Sequence, residues 1–186
     1  SMEQMALTIQ PNDWPTDEGL YKSVLGDMAS ATPQFHFIVT VQTHGPYDKH
    51  DVDVENHYGV DDYRQRLDGA AKSLAAFKQE LDKKGRPYAL VLFGDHLPGL
   101  RKHQRGIGIV EESDPRLHQV PVLIASNARD TSAFAKSMMG RPLYCLPTLA
   151  LDWIGQPAED RYLRVLSDKC TATDKPKMVP AEAVIQ

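Results

Sequence analysis

Cysteine is scarce in this chain. Two residues, Cys145 and Cys170, are too few for the disulfide framework of a small secreted scaffold, and their spacing suits no metal site. They either pair with each other or remain thiols, and they say little about redox compartment. Long apolar runs are missing as well. The longest, such as Phe35 to Val41 and Leu90 to Phe93, fall far short of the ~20 residues that cross a bilayer, and no charged-then-apolar leader opens the chain. Nor is there an excess of positive charge. With 21 Lys and Arg against 25 Asp and Glu the formal net charge is -4, and no basic cluster supplies the footprint that neutralises many phosphates. No nucleic-acid partner is expected.

What is there is ordinary globular composition. Hydrophobic residues make up 41% and charged residues 25% of 186, enough for one domain with a core plus a tail. The opening Ser1-Met2 reads as a scar of tag cleavage before an internal start, so the natural protein is expected to extend further upstream. Residues 1 to 15 are polar and broken by Pro11 and Pro15. Thr16 or Asp17 then caps a helix through Leu20, Val24 and Met28 that ends before Pro33. Phe35 to Gln42 (FHFIVTVQ) has apolar side chains on both parities, as a strand buried on both faces requires, and reads as a central parallel strand. The stretch from Thr43 to Val60, rich in Gly, Asp, His and Asn, follows as a long loop.

From Asp61 the pattern turns helical through Leu67, Ala70, Leu74, Phe77 and Leu81, closed by Lys83, Lys84 and Gly85. Arg86 and Pro87 lead into a second apolar strand, Tyr88 to Phe93, which breaks at Gly94. Val120 to Ala125 is a third strand-like run, Thr131 to Met139 a helical stretch, and Leu143 to Ile154 a helix closed by Gly155. The segment after Ser167 is polar, holds Pro176 and Pro180, and reads as edge structure or a flexible tail. Strands separated by helices imply crossover connections, hence an α/β fold with a mainly parallel sheet and helices on both faces. Ligands in such sheets bind beyond the carboxyl ends of the strands, which singles out the loops beginning at Thr43 and Gly94.

Those loops carry the chemistry. In Phe93-Gly94-Asp95-His96-Leu97-Pro98 a hard carboxylate and an adjacent imidazole can share one divalent ion, provided the turn at Gly94 aims both at one point. Two ligands are not a full site, and Asp95 as a turn cap beside a polar loop His96 would give the same letters. In Val41-Gln42-Thr43-His44-Gly45-Pro46-Tyr47 a histidine at a strand end can give a proton to a departing oxygen or stabilise charge on a transferred group. A lone loop histidine is more often solvated. His36 reads as a packed or edge residue, His50 and His57 as surface, Arg101 to Arg105 as a solvated loop able to attract anions, and Trp14 and Trp153 as packing residues.

The succession of an apolar strand ending in THGPY, a long helix and an apolar strand ending in GDHLP resembles the C-terminal half of a sulfatase-type domain. The likeness is to the alkaline phosphatase superfamily, in its lipoteichoic acid synthase and phosphoglycerol transferase branch. It covers Trp14 to Gly155, including His118-Gln119-Val120-Pro121, which is similar to the segment leading into a late strand. The resemblance implies that Asp95 and His96 bind a catalytic divalent metal, with manganese or zinc foremost and magnesium or calcium possible. It implies that His44 contacts the substrate or leaving group, and that His118, or else His103, steadies the phosphate. It implies an anionic phosphodiester or sulfate ester substrate and an extracytoplasmic location behind transmembrane helices.

Two of the family's parts have no counterpart here: the acidic metal ligand ending the first strand, and the Thr, Ser or modified Cys nucleophile. The expected reading is therefore residues 1–167 as the C-terminal portion of a catalytic domain, with 168–186 a polar tail and the N-terminal half as its missing partner. A noncatalytic binding or structural domain of the same fold is the alternative, as is a homo-oligomer formed through an exposed sheet edge.

Overall fold

Helix α2, Val60–Lys84, follows directly from its sequence. Asp61 and Asp62 in the first turn and Lys83 and Lys84 in the last complement the helix dipole, and Gly85 closes it in the left-handed conformation at φ 65°. Helix α1, Asp17–Asp27, starts as expected at Thr16, whose hydroxyl accepts from the Gly19 N–H at 3.5 Å. The two helices pack through Tyr21 and Phe77, stacked with ring centroids 4.6 Å apart, and Val24 and Leu81 are buried with them. Arg86 donates to the carbonyls of Met28 and Thr32 at 3.3 and 3.0 Å, satisfying groups left over where α1 ends.

The computed structural model describes residues 15–28, 32–47, 59–156 and 159–171. Trp14, His50, His57 and the segment 172–186 lie outside them. The described residues fall into two units, one within Ser1–Arg86 and Pro98–Glu111, the other within Pro87–Leu97 and Glu112–Gln186. The first holds α1, α2 and a short helix α3, Arg101–Gly106, with Leu100, Gln104 and Ile109 buried around it.

The second unit is built on strands β1, Ala89–Phe93, and β2, Val122–Ser126, followed by α4 (Ser132–Met138), α5 (Leu146–Ile154) and α6 (Arg161–Thr171). Val91, Val122 and Ile124 point into a core with Phe134, Met138, Leu146, Leu149 and Trp153, while Leu123 on the other parity is 46% exposed. Trp153 stacks on Phe134 at 4.8 Å and donates its indole N–H to the Asp130 carbonyl, so it is a packing residue as expected. Arg129 donates to the carbonyls of Trp153 and Ile154 at the end of α5, where Gly155 takes φ 75°.

Three expectations are corrected. β1 and β2 pair antiparallel, with Val91 opposite Ile124, where a mainly parallel sheet was expected. Apolar runs report burial and not direction, and the Gly94 N–H bond to Pro121 O at 3.2 Å brings the chain back along β1. Residues 33–41 belong to no ladder, and Phe35, Phe37 and Val39 are 89%, 72% and 65% exposed, so the expected central strand is an unpaired run. A strand needs an edge to pair with, and the described residues supply none at this segment. Finally, α6 continues through Ser167 to Thr171, where a polar edge or flexible tail was expected, because its Cys170 is buried and bonded to Cys145. That disulfide settles the question of whether the two cysteines pair.

Candidate functional site

The THGPY turn is held from both sides. On its leading flank, Gln42 and Asp17 exchange bonds: the Asp17 N–H donates to Gln42 Oε1 at 2.9 Å, and the Gln42 N–H donates to Asp17 Oδ1 at 3.4 Å. Both are buried, at 8% and 4% exposure, and burial raises the Asp17 carboxyl above the usual carboxylate range although the Gln42 and Val41 amides pull it down. On its trailing flank the Tyr47 hydroxyl donates to the Thr43 carbonyl at 3.0 Å, and the ring meets Tyr63 edge-on at 5.6 Å. Burial pushes the Tyr47 phenol up, with Tyr63 adding to the effect. Gly59, at φ 73°, must be glycine, since a Cβ there would stand 2.8 Å from Tyr47 Cβ.

Between these flanks the Gly45–Pro46 peptide is cis and the His44 ring is exposed. His44 Nδ1 lies 2.6 Å from the Gly45 carbonyl. A carbonyl only accepts, so in the neutral ring Nδ1 carries the proton. From α2, Arg66 reaches over the turn to donate to the carbonyls of His44 and Pro46 at 2.8 and 3.1 Å, while Asp62 holds the same guanidinium at 2.8 and 2.7 Å. Its charge also lies 5.5 Å above the Tyr47 ring.

The Asp-His pair stands at the end of β1. His96 Nδ1 lies 2.8 Å from the Leu97 carbonyl, which again assigns the proton to Nδ1 and leaves Nε2 as an acceptor. Nε2 then faces Asp95 Oδ2 at 3.5 Å, and the His96 N–H donates to Asp95 Oδ1 at 2.9 Å. Two acceptors at that spacing fit a shared cation: tetrahedral zinc with ligands at ~2.1 Å has ligand-to-ligand edges of about 3.4 Å. Both side chains are open to solvent, 83% and 65% exposed. Among the described residues no third His, Cys, Asp or Glu joins them, so the pair is a partial ligand set. Gly94 is not sterically compelled, because a Cβ there would meet Val120 and Pro121 at ordinary distances of 3.5 and 3.6 Å.

His118 ends a 3-10 turn, Pro115–His118, capped by Asp114. Asp114 is paired with Arg116 at 2.6 Å, and that guanidinium, with His118 contributing, holds its carboxyl down to about 2. His103 lies on α3, and His36 faces Gln34 at 3.5 Å from the unpaired run. Of the four residues singled out by sequence, Asp95 and His96 are brought together. His44 belongs to the first unit and His118 to a separate turn of the second.

Sequence reasoning missed Arg66, Asp62 and the Asp17–Gln42 exchange. The spacing of Asp62 and Arg66 is one of several i,i+4 charge pairs along α2, so spacing could not mark it out from Lys72–Asp68 or Lys78–Asp82.

Over 149 residues, 68% of this chain, it is 29% identical to a protein of Rhizobium meliloti (strain 1021) described as a "Putative cyclic beta-1,2-glucan modification protein". The match spans 23% of that protein's length, so this chain corresponds to under a quarter of it. No solved structure matches at comparable significance. The Sulfatase family model matches residues 11–150, which contain both the THGPY and GDHLP loops, and this chain belongs to the sulfatase family, with the α/β fold that the family implies.

Proposed function

We propose that this chain is the C-terminal part of a metal-dependent transferase or hydrolase that acts at phosphorus or sulfur in esters of the cell envelope. Transfer of a phosphoglycerol-type group to a glycan is the first reading, because the curated relative is described as modifying a glucan. Hydrolysis of a phosphate or sulfate ester is the second. The observation that carries the proposal is the Asp95 Oδ2 and His96 Nε2 pair, facing at 3.5 Å in a chain of the sulfatase family.

Asp95 and His96 would hold a divalent ion, manganese or zinc foremost, together with ligands from an upstream half that also carries the nucleophile. When bound, the ion offsets negative charge on the attacking and nonbridging oxygens. His44 supplies the proton transfer. With Nδ1–H engaged by Gly45 O, Nε2 accepts a proton from an attacking hydroxyl or, once protonated, gives it to the departing oxygen. His118 would steady the substrate anion, a role that rests on the family resemblance of its segment. The exposed run at Phe35, Phe37 and Val39 is the apolar face against which an upstream half would pack. The Cys145–Cys170 disulfide supports work outside the cytoplasm, where such bonds persist.

Calorimetric titration of manganese and zinc into this chain, beside a version extended upstream and with Asp95→Ala as control, tests the proposal. Tight binding in the extended form alone, abolished by the substitution, is expected. Absence of binding in both would move the assignment to a noncatalytic domain.

A further inference from the structure

We infer that Arg66 is the positioning residue of His44, so that helix α2 sets, through one guanidinium, the direction in which the His44 ring exchanges its proton. The catalytic half of this inference rests on His44 acting at the substrate, as proposed above; the structural half stands by itself.

Every carbonyl from Thr43 to Pro46 has a named donor. Thr43 O takes the Tyr47 hydroxyl, His44 O and Pro46 O take Arg66, and Gly45 O takes the His44 ring. Arg66 therefore grips the peptide groups on either side of the Gly45 carbonyl, which holds His44 Nδ1. A turn free to rotate at those carbonyls would swing Gly45 O away from Nδ1, and the ring would lose both its direction and its bias toward Nδ1–H.

An ordinary surface ion pair does not account for this arrangement. The other i,i+4 pairs of α2 are open, with Lys72 and Asp68 at 76% and 63% side-chain exposure and Lys78 and Asp82 at 47% and 42%. Arg66 and Asp62 are at 10% and 18%. Arg66 also spends two of its bonds on carbonyls 22 and 20 residues away in sequence, which a pair that merely decorates a helix has no need to do. Asp62 takes the Nε and one Nη edge of the fork and aims the rest at the turn, a geometry that a lysine ammonium cannot reproduce.

Imidazole nitrogen NMR of this chain tests the inference, with His44→Gln identifying the His44 signals among seven histidines. In the wild-type chain the neutral His44 ring is expected in the Nδ1–H form. Arg66→Gln and Arg66→Lys are both expected to move it toward the Nε2–H form that free imidazole side chains prefer, with α2 still folded by circular dichroism. Asp62→Asn keeps the shape of the clamp and weakens it, and provides the same readout should the Arg66 variants unfold. A His44 ring that stays Nδ1–H in folded Arg66 variants overturns the inference. In the longer protein, Arg66→Gln is expected to lower kcat by at least ~10-fold with KM little changed. A tautomer shift with unchanged kcat would sustain the positioning and remove His44 from the chemistry.

Discussion

At the scale of single residues, the exposed His44 and the buried Asp17 behave in opposite ways. His44 is open to solvent, so on the proposed proton-transfer role His44→Ala in a version extended upstream should cut turnover by ~100-fold or more while leaving the melting temperature of this chain unchanged. Asp17 is 4% exposed, with its carboxyl raised by burial. A raised folded pKa means that the folded state holds the proton more tightly, so stability from this group is present below its unfolded value of 3.8 and is lost as pH rises through the folded value. Asp17→Asn keeps an acceptor for the Gln42 N–H and should be neutral or stabilising at pH 7, with the difference vanishing near pH 3.

Asp114 runs the other way. Held down to about 2 by Arg116, it contributes stability above its unfolded value of 3.8 that disappears as pH falls through the folded one. Acid titration of Asp114→Asn followed by circular dichroism should show a shallower loss below pH 4 than in the wild type. His44, Asp95 and His96 were singled out as candidates by residue type alone. The partners that orient them were not, since Arg66 lies 22 residues from the carbonyl it holds and resembles its helical neighbours in every local respect.

At the scale of elements, α2 serves as both a packing helix and a support for the THGPY turn. Gly69 sits inside it, and a Cβ there would stand 2.5 Å from Gln42 Nε2. Alanine in a helix interior normally gains about 1 kcal/mol over glycine. Gly69→Ala should fail to show that gain in the wild type and show it in a Gln42→Ala background, a coupling read from thermal melts of the double-mutant cycle. The unpaired run from residue 33 to 41 makes a second test. Phe37→Glu and Val39→Glu should shift the stability of this chain by less than about 0.5 kcal/mol, because both side chains are already exposed. The same changes should destabilise the longer protein by more than about 2 kcal/mol if its upstream half covers that face. Equal tolerance in both would mean that nothing covers it.

At the scale of the whole chain, the Cys145–Cys170 bond ties α6 to the start of α5 across 25 residues. Closing a loop of that length is worth about 3.5 kcal/mol in the chain-entropy account, so Cys145→Ser with Cys170→Ser should lower the denaturation midpoint by a corresponding amount. Reductant should do the same to the wild type and nothing to the double variant. The sequence by itself determined the helices and strands of strong period: α1 from its cap, α2 from its apolar stripe and terminal charges, and β1, β2 and α5 from their apolar runs and closing glycines. It determined the family too, because the residues of THGPY and GDHLP are chemistry written in order. Only the tertiary structure decided that β1 and β2 run antiparallel, that the two cysteines meet, and that the FHFIVTV run pairs with nothing described. Strand direction, disulfide pairing and ladder partners depend on which distant segments arrive side by side, and local periodicity carries no record of that.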